Sequence, residues 1–295
     1  MFAIIGVVVV IGSVIGGYLM EHGHLAVLFQ PAELVIIGGA ALGTLFVANP
    51  MHIIKALLGG MMGIIKGSKF TKAFYLDSMK MMYELFSRAR RDGLMALETD
   101  ADEPDKSLVI SKYPAFLKDH HVRDFACDTL RMAAGGGIEA FEMDQMIERD
   151  MESHHHEALQ PITALSNVAD SLPGLGIVAA VLGVVITMGS IGGPPEEIGH
   201  KVGAALVGTF LGILLCYGFF APMAANMTKI AEDESAYYGV LRVMMVAFLK
   251  GSAPISAVEI GRRAIPGHSR PSFQEAETHC KNKGGEVAAE PAKAA

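Results

Sequence analysis

Four stretches of the chain carry no Asp, Glu, Lys or Arg: those between Met1 and Glu21, Glu33 and Lys55, Asp170 and Glu196, and Lys201 and Lys229. Each offers roughly the 20 apolar residues that a helix needs to cross a bilayer core. The pattern predicts an all-α membrane protein with four transmembrane helices arranged as two hairpins. The first hairpin turns through "EHGHLAVLFQPA" and the second through "GGPPEE". The first window lacks a basic start and exceeds the roughly 7–15 apolar residues of a secretory signal, so it is read as a retained span.

Between and after the hairpins the apolar residues thin out and take helical spacing. Phe70, Phe74, Leu76, Met79, Met82, Leu85 and Phe86 predict one helix that stops at Asp92-Gly93. A second stretch runs from Val109 to Met132 and ends at the triple glycine 135–137. A third, with Phe141, Met143, Met146, Ile147 and Met151, leads into the third span, and Ile230, Tyr237, Leu241, Met244 and Phe248 carry the period beyond the fourth. The division is therefore 1–49 for spans one and two, 50–167 for a large helical cytoplasmic domain, 168–225 for spans three and four, and 226–273 for a helical cytoplasmic extension. Residues 274–295 close on "GGEVAAEPAKAA" and are expected to be disordered.

Charge sets the orientation. The two short turns hold no Lys or Arg, whereas 50–167 holds fourteen and the chain after Ala225 holds nine. By the positive-inside rule the long connection and both termini are cytoplasmic, as in a multi-pass membrane protein. A net charge of −7 points away from a nucleic-acid partner. Cys127, Cys216 and Cys280 are too scattered for a disulfide framework or a metal site, and consecutive histidines such as His154–His156 point around a helix rather than converging. No cofactor is expected.

One face of the third span reads Pro173, Gly176, Ala180, Gly183, Thr187, and the fourth repeats the device with Ala204, Gly208, Gly212 and Cys216, Thr209 alongside. Small faces let membrane helices approach closely. They either pack these two spans together or receive a helix of another protein. The second reading gains from what is missing: ion-moving proteins usually carry an intramembrane titratable group, and spans three and four offer only the hydroxyls of Thr187 and Thr209. A proton path here would need a partner's carboxylate. Glu33, at the outer end of the second span, is read as a cap for that helix rather than as part of an ion entrance.

The segments "QPAELVIIGGA", "DSLPGLGIVAAVLGVV", "VGTFLGILLCYGF", "APISAVEIGRR" and "RPSF" resemble the MotA family, the larger stator subunits of the bacterial flagellar motor, in order and over nearly the whole chain. The resemblance implies a homo-oligomer, a pentamer in the family, around a MotB-like subunit that supplies the proton-carrying aspartate and a peptidoglycan anchor. It implies conversion of proton motive force into torque on the rotor protein FliG, not an enzymatic reaction. By local alignment Arg90 and Glu98 fall on the rotor-facing charges, with Arg91 and Asp92 as additions beside them. Pro173 and Pro222 match prolines that couple ion flow to conformational change, and Thr209 matches a pore threonine. Ala180 stands where sodium-driven relatives carry threonine, which implies the proton as the ion. Gly176, Gly183, Thr187, Gly208 and Gly212 are assigned to a face that packs against the partner's helix. The alternatives are an energy-transducing subunit like ExbB or TolQ, which has three spans, and a four-helix secondary transporter, for which repeats and midplane polar sites are missing.

Overall fold

The computed structural model describes residues 2–189 and 191–281, and among these the secondary structure is helical. In chain order the helices are α1 (Phe2–Met20), α2 (Leu25–Leu28), α3 (Pro31–Ala48), α4 (Met51–Lys66), α5 (Lys72–Asp92), α6 (Ala96–Asp102), α7 (Pro114–Leu117), α8 (His120–Gly135), α9 (Ala140–Met188), α10 (Pro195–Leu215), α11 (Ala221–Leu249), α12 (Pro254–Ala264) and α13 (Phe273–Lys281). The chain divides into two compact units. One runs to Ser68 and from His154 to Glu232; the other takes Lys69–Ser153 and continues from Asp233.

The first unit holds the four predicted spans, each long and apolar enough to cross a membrane: Ala3–Met20, Leu25–Ala48, and windows within Ala140–Met188 and Pro195–Leu249. The first turn contains the extra helical turn α2, and α3 opens on Pro31, whose fixed φ suits a first helical position. Helix α4, which the sequence reading gave to the cytoplasmic domain, belongs to this unit. Its Leu57 and Ile64 lie on one face and pack with Ile162, Leu165, Ala224 and Met227. Gly60 opens that contact, because a Cβ there would collide with the Met227 methyl.

Between α10 and α11 the helix widens into one π turn, Cys216–Phe220, in which Ala221 N–H donates to the Cys216 carbonyl. Pro222 is the physical reason such a turn fits. A proline offers no N–H and its ring crowds the carbonyl four residues back, and a wider turn relieves both.

The second unit has a core of a different kind. Tyr75, Met79, Met82, Leu85 and Phe86 of α5 meet Tyr237, Leu241, Met244 and Phe248 of α11. The rings of Phe86 and Phe248 stack 4.3 Å apart at 7°. Tyr237 is fully buried and its hydroxyl lies 2.7 Å from that of Ser78, so the polar end of the ring is satisfied. Thr71 caps α5 by accepting from Phe74 N–H, and Gly93 ends it at φ 90°. The expected helix over 109–132 is broken: Pro114 starts the short α7 and Asp119 caps α8 by accepting from Val122 N–H.

Residues 274–281 are not disordered. They form α13, with Ala276 and Cys280 buried, and "SFQE" supplies a capping box. Ser272 Oγ accepts from Glu275 N–H at 3.3 Å while Glu275 Oε2 accepts from Ser272 N–H at 2.6 Å. Lys72 Nζ meets Glu275 at 2.7 Å and His279 meets Asp77 at 3.2 Å, tying α13 to α5. The rest of the predicted disordered tail lies outside the described residues.

Candidate functional site: the α9–α10 crossing and the α5–α6 charges

The small faces of the third and fourth spans lie against each other. A Cβ placed on Gly176 would stand 2.8 Å from the Gly208 carbonyl oxygen, 3.1 Å from Gly212 Cα and 3.3 Å from Thr209 Cα. One placed on Gly212 would stand 2.5 Å from the Leu172 carbonyl oxygen, and one on Gly183 would stand 2.7 Å from Ala205 Cβ. Backbone meets backbone, which only glycine allows.

Of the two readings the sequence allows, packing of the third and fourth spans on each other is the one this geometry displays. Gly176, Gly183, Gly208 and Gly212 are closed by their own chain. Thr187 is buried as well, and its hydroxyl donates to the Gly183 carbonyl one turn back at 2.8 Å. The part of α9 left open is the apolar side, with Ile177, Val178, Val181, Val185 and Ile186 all exposed.

Of the four ion-path candidates, three share this crossing. Ala180 lies beside Gly208, its N–H nitrogen 3.2 Å from where a Cβ of Gly208 would be; Thr209 faces Gly176; and Pro173 follows Leu172, whose carbonyl faces Gly212. Pro173 and Thr209 are half-buried. Pro222 sits apart: it is exposed on α11, ten residues past Gly212 or about 15 Å along a helix.

One group at the crossing was misjudged from sequence. Glu33 is only 7% exposed, and its Oε2 has no hydrogen-bond partner. It does not cap α3. Its carboxylate reaches across to the glycines, Oε2 lying 2.5 Å from a Cβ built on Gly208 and Oε1 3.6 Å from one built on Gly183. The signal was available: a glutamate opening an apolar span opposite a glycine stripe has room to turn inward.

In the second unit both rotor-facing candidates are exposed. Arg90, in the last turn of α5, sends Nη1 towards the Gly251 and Ser252 carbonyls at 3.5 and 3.4 Å. Glu98 lies in the first turn of α6, where a negative charge suits the helix dipole. Between them Arg91 and Asp92 pair at 2.9 Å, and the Arg91 hydrogen bond holds the Asp92 carboxyl below the usual carboxylate range.

What fixes α6 beneath these charges is a buried network that sequence reasoning missed. Asp100 is 1% exposed, takes both oxygens to Arg88 Nη1 at 2.9 Å, and accepts from Ser107 Oγ at 2.6 Å. Ser107 Oγ in turn accepts from Val109 and Ile110 N–H. Only the fold brings Arg88, Asp100 and Ser107 to one point.

With that geometry in place, comparison with known proteins locates the chain. Residues 4–93 match the model described as "Motility protein A N-terminal", and residues 118–239 match "MotA/TolQ/ExbB proton channel family". The chain is 41% identical to Motility protein A of Escherichia coli K12 over 281 residues, covering 95% of each. It is 34% identical to the chemotaxis protein LafT of Vibrio parahaemolyticus, covering 92% of this chain and 96% of that one. In fold it is similar to a Campylobacter jejuni MotAB structure with a TM-score of 0.76 at 19% identity, covering 92% of this chain and 98% of that chain. It is also similar to the flagellar MotAB stator complex of Bacillus subtilis, at 0.70 and 23%, covering 87% and 92%. Identity and coverage of this extent settle the family: this chain is a member of the motility protein A family, the flagellar stator subunits within the MotA/TolQ/ExbB proton channel family.

Proposed function

We propose that this chain works in the inner membrane as the larger subunit of a proton-driven stator, several copies surrounding a MotB-like partner that carries the proton through lipid on its own carboxylate. The observation that carries the proposal is the α9–α10 pair. It is held rigidly backbone to backbone, and α9 turns a wholly apolar face outward that carries no titratable side chain from Ser171 to Met188. A conducting complex built on such helices needs a charge acceptor from a second chain.

Ala180 supports the proton over sodium, because a methyl at the crossing offers no oxygen to a metal ion. The named relatives support the partner: the two solved structures are complexes of MotA with MotB. A ring of five and torque on FliG follow the family pattern, and the exposed pair Arg90 and Glu98 on α5 and α6 suits a charged rotor surface. The energy available is about 2.3 kcal/mol per proton per 100 mV. An ExbB- or TolQ-like transducer is disfavoured by the fourth span.

The test is proton flux into lipid vesicles. Vesicles holding this chain with its cognate partner, any plug removed, should acidify under an imposed potential without sodium, and vesicles holding this chain alone should not. Flux from the single subunit would remove the need for the partner's carboxylate. Flux that required sodium would overturn the Ala180 argument.

A further inference from the structure

Glu33 is a buried carboxylate that the stator reading leaves without a task. It sits in the third position of α3, in the first unit, with its side chain turned into the junction of α3, α9 and α10. Three observations constrain its state. The residue is more than nine-tenths buried, its Oε2 has no hydrogen-bond partner, and the surfaces it meets are the glycines 183 and 208.

The charged and titratable groups of the neighbouring elements do not answer it. On α9 there is none from Ser171 to Met188. On α10 there are Glu196, Glu197, His200 and Lys201; Lys201, two turns before Gly208 on the same side, holds Glu197 at 2.9 Å. Before α2 stand Glu21, His22 and His24, with the Tyr18 hydroxyl directed to the His24 carbonyl. Among the described residues no ion pair reaches Glu33.

An ionised carboxylate buried without partner costs several kcal/mol, and such a group takes up an ion instead. A metal cation is a poor candidate, since glycine faces supply no side-chain oxygens and helical carbonyls are already engaged. A proton needs no cage. We propose that Glu33 is a proton-binding station of this chain: its carboxyl takes up a proton at the α3–α9–α10 junction and exchanges it with the ion stream of the complex. This rests on the proton-conducting reading and adds to it a titratable group on the subunit whose third and fourth spans have none. Gly208 and Gly183 serve the site by leaving the space the carboxyl fills.

The experiment uses the full chain with its cognate partner in lipid vesicles and needs no variant for its first readout. Dicyclohexylcarbodiimide adds to a protonated carboxyl in an apolar setting, and the labelled peptide is located by mass spectrometry. Glu33 should label under conditions where the exposed glutamates of the chain, being ionised, do not, and labelling should fall as the pH is raised. Glu33→Gln, which keeps the shape of the neutral acid, should assemble normally, lose the label, and lower proton flux in part, most at alkaline pH.

Failure to label, labelling independent of pH, or protection by sodium at fixed pH would each overturn the proposal, the last by making the site a cation site. Unchanged flux in Glu33→Gln would overturn the exchange step. If the wild-type complex conducts nothing yet Glu33 labels with the stated pH dependence, the stator reading and the exchange step fail and proton binding at Glu33 stands.

Discussion

The two units of this protein are held together by opposite means. The unit with the four spans has its tightest contacts where side chains are missing: Gly176 against Gly208 and Gly212, Gly183 against Ala205, Gly60 under Met227. The other unit is filled by the largest side chains the chain has, with Tyr75, Tyr237, Tyr238 and Phe86 fully buried among methionines. The difference follows from the solvent. In lipid, a leucine gains nothing by leaving one apolar neighbour for another, so association comes from close backbone approach and dispersion. In water, burial of apolar area dominates, and aromatic rings carry the most of it. The spans accordingly leave large residues such as Val8, Val47 and Ile186 exposed, whereas the same residues would be costly on the second unit.

That contrast predicts where mutations hurt. Phe86→Ala removes a ring that is buried and stacked on Phe248. It should cost about 3–5 kcal/mol, read as a lower thermal midpoint in detergent and faster proteolysis of residues 69–153, with the spans still inserted.

Gly176→Ala adds one carbon where 2.8 Å of space to a backbone oxygen is available. A cost of about 1–3 kcal/mol follows from overpacking, measured as reduced membrane abundance. Gly203→Ala, also on a span but with nothing within 4 Å, should leave abundance unchanged. If the two behaved alike, glycine-mediated contact would not be what holds α9 to α10.

The exposed charges should separate function from fold. Arg90→Glu and Glu98→Lys each change stability by no more than about 0.5 kcal/mol, yet motility should fall sharply while membrane abundance stays at the wild-type level. Loss of abundance in proportion to motility would make them folding residues and would return this corner to the ordinary surface of the second unit.

The smallest effect concerns α13. The Lys72 hydrogen bond, with help from Ser272, lowers the Glu275 carboxyl from about 4.5 to about 2. A depressed folded value means stabilisation that is complete above the unfolded value and lost as pH falls between the two. Hydrogen exchange should show α13 loosening between about pH 4.5 and about pH 2, and Lys72→Met should remove most of that dependence. The pair is well exposed, so the effect is modest.

How much of this could be read from the chain alone divides along the same line. The spans were legible because a bilayer demands an unbroken apolar run of known length, and each of the four charge-free windows supplies one. Arg90, Glu98, the prolines and Ala180 were singled out as candidates through local motifs that keep their spacing. α13 was legible and overlooked, since "SFQE" is a local capping signal. The π turn and the break at Pro114 had proline as their only mark, and a proline does not say whether a helix bends, widens or ends.

The sequence by itself determined the class of the protein, its spans, its charged corner and its family, because each depends on periodicity, composition or residues near one another in the chain. Tertiary structure decided the rest. The glycine stripes were equally suited to a partner or to each other, and only the approach of α10 to α9 chose. Arg88, Asp100 and Ser107 became one network only when α5 and α6 closed. Glu33, a capping residue by its place in the chain, became a buried carboxyl because two other helices left a glycine-sized space in front of it; burial belongs to the neighbours, and the neighbours are set by the fold.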